Sequence, residues 1–185
     1  MLNATQNVGF GDKCCSIAVY IGNQPPMEQY QELSQLTTLC SGDIANIVQH
    51  CGNGWRKVFN VYAKLLYSLD TELFSFKKLA PTWQEYRDSF LLQAHSNTAL
   101  LFNAPILSSH NQTAFSHEKV IHIIMGRTYA KSLVNSQLLT APLTWLDDEF
   151  AINQQAGVIV CPYFDYRQLS NIKIVRLAAL MKSVR

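Results

Sequence analysis

Charge is scarce in this chain. Asp, Glu, Lys and Arg make up 15% of its 185 residues, against roughly 25% in a typical soluble domain. The 15 basic and 13 acidic residues leave a formal net charge of only +2. Together with 48% hydrophobic residues, this excludes a disordered chain and a strongly polycationic nucleic-acid binder. No apolar run approaches the ~20 residues of a membrane span, and no charged n-region precedes a long apolar stretch. The expectation is a cytosolic protein without a membrane partner. The five cysteines, Cys14, Cys15, Cys40, Cys51 and Cys161, form an odd set with no C-x-x-C pair. That pattern argues against a disulfide scaffold and a four-thiolate zinc site, and they read as small buried hydrophobes. Also missing are a G-x-S-x-G elbow, an H-E-x-x-H helix, a deaminase H-x-E with P-C-x-x-C, a dinucleotide glycine fingerprint and a phosphate-loop Lys-Ser/Thr.

What is present alternates between short apolar runs and helical patterns. Cys15 to Ile21 is β-branched and apolar, and it stops at Gly22-Asn-Gln-Pro-Pro26, a strand followed by a shaped loop. Helix-compatible sequence then runs from Pro26 to Leu36 and again from Ser41 to Gly52. Trp55, Val58, Phe59, Tyr62, Leu65 and Leu66 recur every three or four residues and predict an amphipathic helix over about 55–68. Another helix is expected from Pro81 to about His95. Thr98 to Asn103, Lys119 to Met125 and Gly157 to Cys161 read as buried strands. A polar loop from Ser108 to Ser116, a helix from Thr128 to Leu133 and a terminal helix from Leu169 to Met181 fill the gaps. In the last helix Ile172, Ile174, Val175, Leu177, Ala178 and Met181 are expected to pack inward.

This order predicts one α/β domain over 1–185, with 1–14 as a peripheral segment. Its architecture is three-layer α/β/α around a short, mainly parallel four-stranded sheet. In such folds the ligand crevice lies beyond the carboxyl ends of the strands. There the sequence gathers its polar residues. Gly22, Asn23, Gln24 and Pro25 can form a nest for an anion or a base, or a simple turn. Asn103 can pair with the edge of a flat ligand or cap its own loop. His110 and His117 lack a placed third partner, so no metal or cofactor is assigned, although His117 suits phosphate contact or proton transfer. Gly126 and Arg127 open a helix after a buried strand. In Pro162-Tyr-Phe-Asp-Tyr-Arg167, Asp165 is the best placed carboxylate, Arg167 can hold it or bind phosphate, and Tyr163, Phe164 and Tyr166 offer aromatic surface. Ser170 closes this loop. Stacking on a base and plain loop packing both fit it.

Taken in order, these loops resemble the uracil-DNA glycosylase superfamily. Ile17 to Met27 looks like the family's first strand and water-activating loop. Leu100-Leu-Phe-Asn103, followed by Leu107 and Ser116-His117, looks like the strand whose Asn reads uracil and the downstream Ser-His loop. Val120 to Gly126 with Ala130 looks like the next strand and helix start, and Pro162 to Ser170 occupies the place of the loop that enters the DNA minor groove. The resemblance implies a cleft for a flipped base, Asn103 as its reader, and N-glycosidic hydrolysis where the site is active. It departs where Gln24, or Asn23 in a shifted loop, stands in place of the water-positioning Asp, and where Tyr163 stands in place of the His. Amides orient water but are poor bases, and a neutral Tyr stabilises a leaving anion less than an imidazolium. The implied partner is DNA, a nucleobase or a nucleotide, with a local cationic patch of Arg127, Arg167, Lys173 and Arg176. Two other readings stand beside it. One is binding or hydrolysis of a small molecule or free nucleoside through Asp165, His117 or Arg167, and the other is an interaction domain whose rim residues are only turns.

Overall fold

The computed structural model describes residues 6–107, 112–113 and 116–185. Its strands are β1 (Gly9–Gly11), β2 (Ile17–Tyr20), β3 (Leu36–Thr37), β4 (Thr98–Leu101), β5 (Gln112–Thr113), β6 (Ser116–Lys119), β7 (Ile121–Met125), β8 (Thr144–Trp145), β9 (Ala151–Asn153) and β10 (Val158–Cys161). Its helices are α1 (Glu28–Gln31), α2 (Asp43–Cys51), α3 (Asn53–Tyr67), α4 (Trp83–Ser89), α5 (Arg127–Asn135) and α6 (Asn171–Val184).

The four strands read from the sequence lie at the centre and run parallel in the order β4-β2-β7-β10. The sheet does not end there. Antiparallel β1 extends it beyond β4 and carries β3 at the edge, while β9 and β8 continue it as a meander beyond β10. The sheet is therefore mixed and eight-stranded, not the short four-stranded sheet expected. The added strands are only two or three residues long, too short for a periodicity to announce them. Within the stretch 1–14 expected to be peripheral, β1 is part of the sheet, since Phe10 is fully buried and Gly9–Gly11 pairs on both sides. Glycine makes this possible. Gly11 has φ +127°, and a Cβ there would lie 2.2 Å from the carbonyl oxygen of Thr98, so any larger residue would push β1 off β4.

Successive strand residues face opposite sides. Ile17, Val19, Leu100, Ile123 and Ile159 join a large core with Phe59, Tyr62, Leu66 and Leu177 under α3 and α6. Ala18, Tyr20, Ala99, Ile124 and Val160 form a smaller core with Ala130 and Leu133 of α5. α3 follows its expected periodicity, and its buried Tyr62 hydroxyl donates to the carbonyl of Ala99 at 3.0 Å. In α6 only one stripe, Ile174, Leu177, Met181 and Val184, is buried. Ile172 is 84% and Val175 67% exposed, because at 100° per residue they fall on other sides of the helix.

Three further expectations shift. The stretch after Pro26 makes a single turn, α1, because Leu36 is drawn into the sheet opposite Gly9. α4 starts on a Thr82 cap, whose Oγ1 accepts from Glu85 N at 3.2 Å, and stops at Ser89. Leu92, His95 and Asn97 beyond it are left-handed, with φ of 60°, 60° and 56°. Of the cysteines only Cys15 and Cys161 are buried, while Cys14 and Cys40 are exposed. No helix of the described residues is long and apolar enough to cross a membrane.

Candidate functional site at a strand-end cleft

The chain leaves β2 toward α2, α3 and α4, and leaves β7 toward α5 on the other face of the sheet. Two adjacent parallel strands whose connections depart to opposite faces leave a crevice between their carboxyl ends. A cavity of about 690 Å³ opens there, within the size range of small-molecule sites. Gly22 and Asn23 after β2, Met125 to Tyr129 at the β7–α5 junction, Pro162 and Tyr163 after β10, and Gln168 line it, with Ser132, Asp148 and Glu149.

The walls follow from local sequence. Gly126 adopts φ +99° as the N-cap of α5, and the first N–H groups of a helix have no intrahelical acceptor. Gly22 lies under Tyr129, where a Cβ would come within 3.0 Å of the ring. The Tyr163 hydroxyl donates to Asn23 Oδ1 at 3.4 Å across the cleft, and burial raises the Tyr163 pKa above its ordinary value. Arg127 pairs with Asp148 at 3.4 Å. Both Arg127 and Lys131 also approach the Trp145 ring, at 5.8 and 5.7 Å from its centroid.

Of the residues singled out from the sequence, Gly22, Asn23, Gly126, Arg127 and Tyr163 meet in this cleft. The others do different work. Asn103 accepts from Val8 N at 2.7 Å and donates to the Ala104 carbonyl at 2.8 Å, tying the segment before β1 to the end of β4. Phe164 is fully buried against Tyr62, with ring centroids 5.8 Å apart, so it has no face free for stacking. Asp165 forms an ion pair with Lys57 at 2.7 Å and accepts from Arg167 N at 2.9 Å. Lys57 beside it, then that backbone bond, hold its carboxyl below the usual carboxylate range. The Arg167 side chain is exposed, Ser170 is the N-cap of α6, and Gln24, half-buried, and Pro25, buried, are not among the residues that line the cleft. His110 lies outside the described residues, as does the side chain of His117 in β6.

Sequence reasoning missed Tyr129, Gln168, Asp148 and Glu149. The signal for Tyr129 was its place in the first turn of a helix following Gly126. Nothing in the sequence announces that Asp147-Asp-Glu149, between two very short strands, reaches the rim. Their turn is built by Asp147, whose Oδ1 accepts from Glu149 N and Phe150 N at 2.7 and 2.8 Å. Those two bonds and Arg176 hold the Asp147 carboxyl down at about 2. Among the described residues no three His, Cys, Asp or Glu side chains converge to hold a metal.

Fold and site together define an α/β protein with an open cleft at the switch point of its parallel strands. The chain belongs to DUF6942, a family of unknown function, whose sequence pattern matches residues 8–182. No curated protein and no solved structure matches it.

Proposed function

We propose that the cleft binds a nucleobase carried as a mononucleotide, in the cytosol, and that binding rather than bond cleavage is its activity. The observation that carries this reading is the meeting of Asn23, Tyr163 and Tyr129 with the first turn of α5 in one cavity. Amides of Asn23 and Gln168 supply the donors and acceptors that a base edge requires, and the two tyrosine rings supply apolar faces. The α5 N-terminus suits a phosphate. The order of loops that resembles the uracil-DNA glycosylase superfamily supports the same ligand class.

The reading departs from that resemblance at two points. Asn103 is committed to the backbone of the N-terminal segment, so Asn23 takes the part of base reader. Among the described residues that line the cleft there is no histidine, and the two carboxylates, Asp148 and Glu149, are in ion pairs. An amide at Asn23 orients water but cannot deprotonate it.

Isothermal titration with uracil, adenine and their 5′-monophosphates tests the proposal. At least one monophosphate should bind, more tightly than its free base, and Tyr163→Phe or Asn23→Ala should weaken it roughly 10-fold, the worth of one lost hydrogen bond. Absence of binding by all four compounds, or equal binding by the variants, would refute it.

A further inference from the structure

Beside the cleft, from Arg127 in its lining to Lys173 and Arg176 farther out, lie three cations whose charge is already met from within the chain. Arg127 opens α5, and Lys173 and Arg176 lie in the first turns of α6. Each pairs with one member of a single acidic run: Arg127 with Asp148 at 3.4 Å, Lys173 with Glu149 at 2.7 Å, and Arg176 with Asp147. Three consecutive carboxylates thus engage three cations drawn from two helices, and Asp148 and Glu149 also border the cavity. Of the four basic residues that the sequence offers as a patch, only Arg167 forms no ion pair among the described residues, although its charge still acts on Asp165.

The run is held as a strap. Leu146 N donates to the Phe150 carbonyl at 2.8 Å, closing the turn that Asp147 braces from inside. Phe150 is fully buried, and the Arg176 guanidinium lies 4.4 Å from its ring centroid. The anchor and the turn belong to the backbone, Asp147 and Phe150. The carboxylates of Asp148 and Glu149 only reach outward to Arg127 and Lys173.

We propose that this acidic strap sets the size of anion the cleft accepts: it occupies the cations that a nucleic-acid strand would use for its successive phosphates, and so admits a mononucleotide but refuses a strand. Strand binding draws its affinity from releasing counterions at many phosphate contacts. A carboxylate beside each cation cancels much of its field, so a strand's phosphate gains little there. The inference rests on the mononucleotide reading, since it explains how a cleft for a base can coexist with poor strand binding.

The test compares the full-length wild type with Asp148→Asn/Glu149→Gln, which frees Arg127 and Lys173 while leaving Asp147 and its turn intact. A second variant, Glu72→Gln/Glu85→Gln, makes the same change in net charge outside the cleft. A fluorescein-labelled thymidine dodecamer is titrated into each at several salt concentrations, and thermal unfolding confirms that each is folded. The strap variant should bind the dodecamer at least ~10-fold more tightly than wild type at low salt. Its log affinity should fall with log salt at a slope steeper by about 1.4, two cations at about 0.7 each for a single strand. The remote variant should match wild type. Equal binding by wild type and strap variant, no gain in the strap variant, or an equal gain in the remote variant would each overturn the proposal. None of these outcomes touches the mononucleotide reading, which stands or falls on titration of the monophosphates.

Discussion

The two ends of the parallel strands use the same kinds of side chain to opposite effect. At the amino ends the polar groups satisfy one another. Asp12 Oδ2 accepts from Asn97 N at 3.2 Å, Ser16 N and Ile17 N donate to the Asn97 carbonyl, and Ser96, Thr98 and Leu92 N form a buried hydroxyl and amide network. The space left there is about 100 Å³. At the carboxyl ends of β2, β7 and β10 the connections diverge, and Asn23, Tyr163 and Gln168 face about 690 Å³ of open cleft. The β4 end is the exception that marks the boundary, because Asn103 seals it with Val8. One end spends its polar groups on holding the fold, and the other leaves them available.

Substitutions at the closed end should therefore cost stability without touching ligand binding, and those at the open end the reverse. The largest effect is expected for Gly11→Ala. A Cβ placed 2.2 Å from the Thr98 carbonyl and 2.7 Å from Ala99 Cα meets backbone, which cannot swing aside. Chemical denaturation should show a loss of more than about 3 kcal/mol. A result below about 1 kcal/mol would mean that β1 does not pack against β4 as described.

Next comes a pH dependence from His122, buried in the middle of the sheet. Its Nδ1 lies 2.7 Å from the Tyr20 hydroxyl, and its Nε2 has no partner among the described residues. Burial, then Lys119, holds its pKa down to about 4 from the usual 6.5. Folding thus favours the neutral ring. The stability it contributes is complete above pH 6.5 and drains away as pH falls toward 4, by about 3 kcal/mol in total. His122→Gln should lack this component, so wild-type and variant stabilities measured at several pH values should converge on acidification. Parallel curves would show that the imidazole is not shielded from water.

Asn103→Ala should be smaller. It removes the acceptor of Val8 N–H and costs about 1–2 kcal/mol in denaturation, with no change in affinity for a monophosphate. Smallest is Asp165→Asn, where a partly exposed pair with Lys57 is lost and no more than about 1 kcal/mol goes with it. A large loss of ligand affinity there, with stability unchanged, would move Asp165 from the scaffold into the site.

How far the sequence discloses this depends on segment length. The four central strands, α3 and α6 were legible because their apolar runs or periodicities extend over four or more residues. β1, β3, β8 and β9 were not, since a pair such as Leu36–Thr37 becomes a strand only because Gly9 approaches it. The rim was legible to the extent that strand ends position it: Gly22, Asn23, Gly126, Arg127 and Tyr163 were expected there and are found lining one cleft. Asn103, Phe164 and Asp165 were expected beside them, yet each is claimed by a partner distant in sequence, Val8, Tyr62 and Lys57. Pairings across 95, 102 and 108 positions leave no local trace. The acidic strap was hidden for the same reason, as its three carboxylates find cations 21 to 29 residues away.

The division between the two asparagines tests the account most directly. Affinity for whichever monophosphate binds wild type is measured by titration in Asn23→Ala and Asn103→Ala, alongside their unfolding midpoints. The account predicts roughly 10-fold weaker binding with unchanged stability for Asn23→Ala, and unchanged binding with reduced stability for Asn103→Ala. Loss of binding in Asn103→Ala with full binding in Asn23→Ala would contradict it.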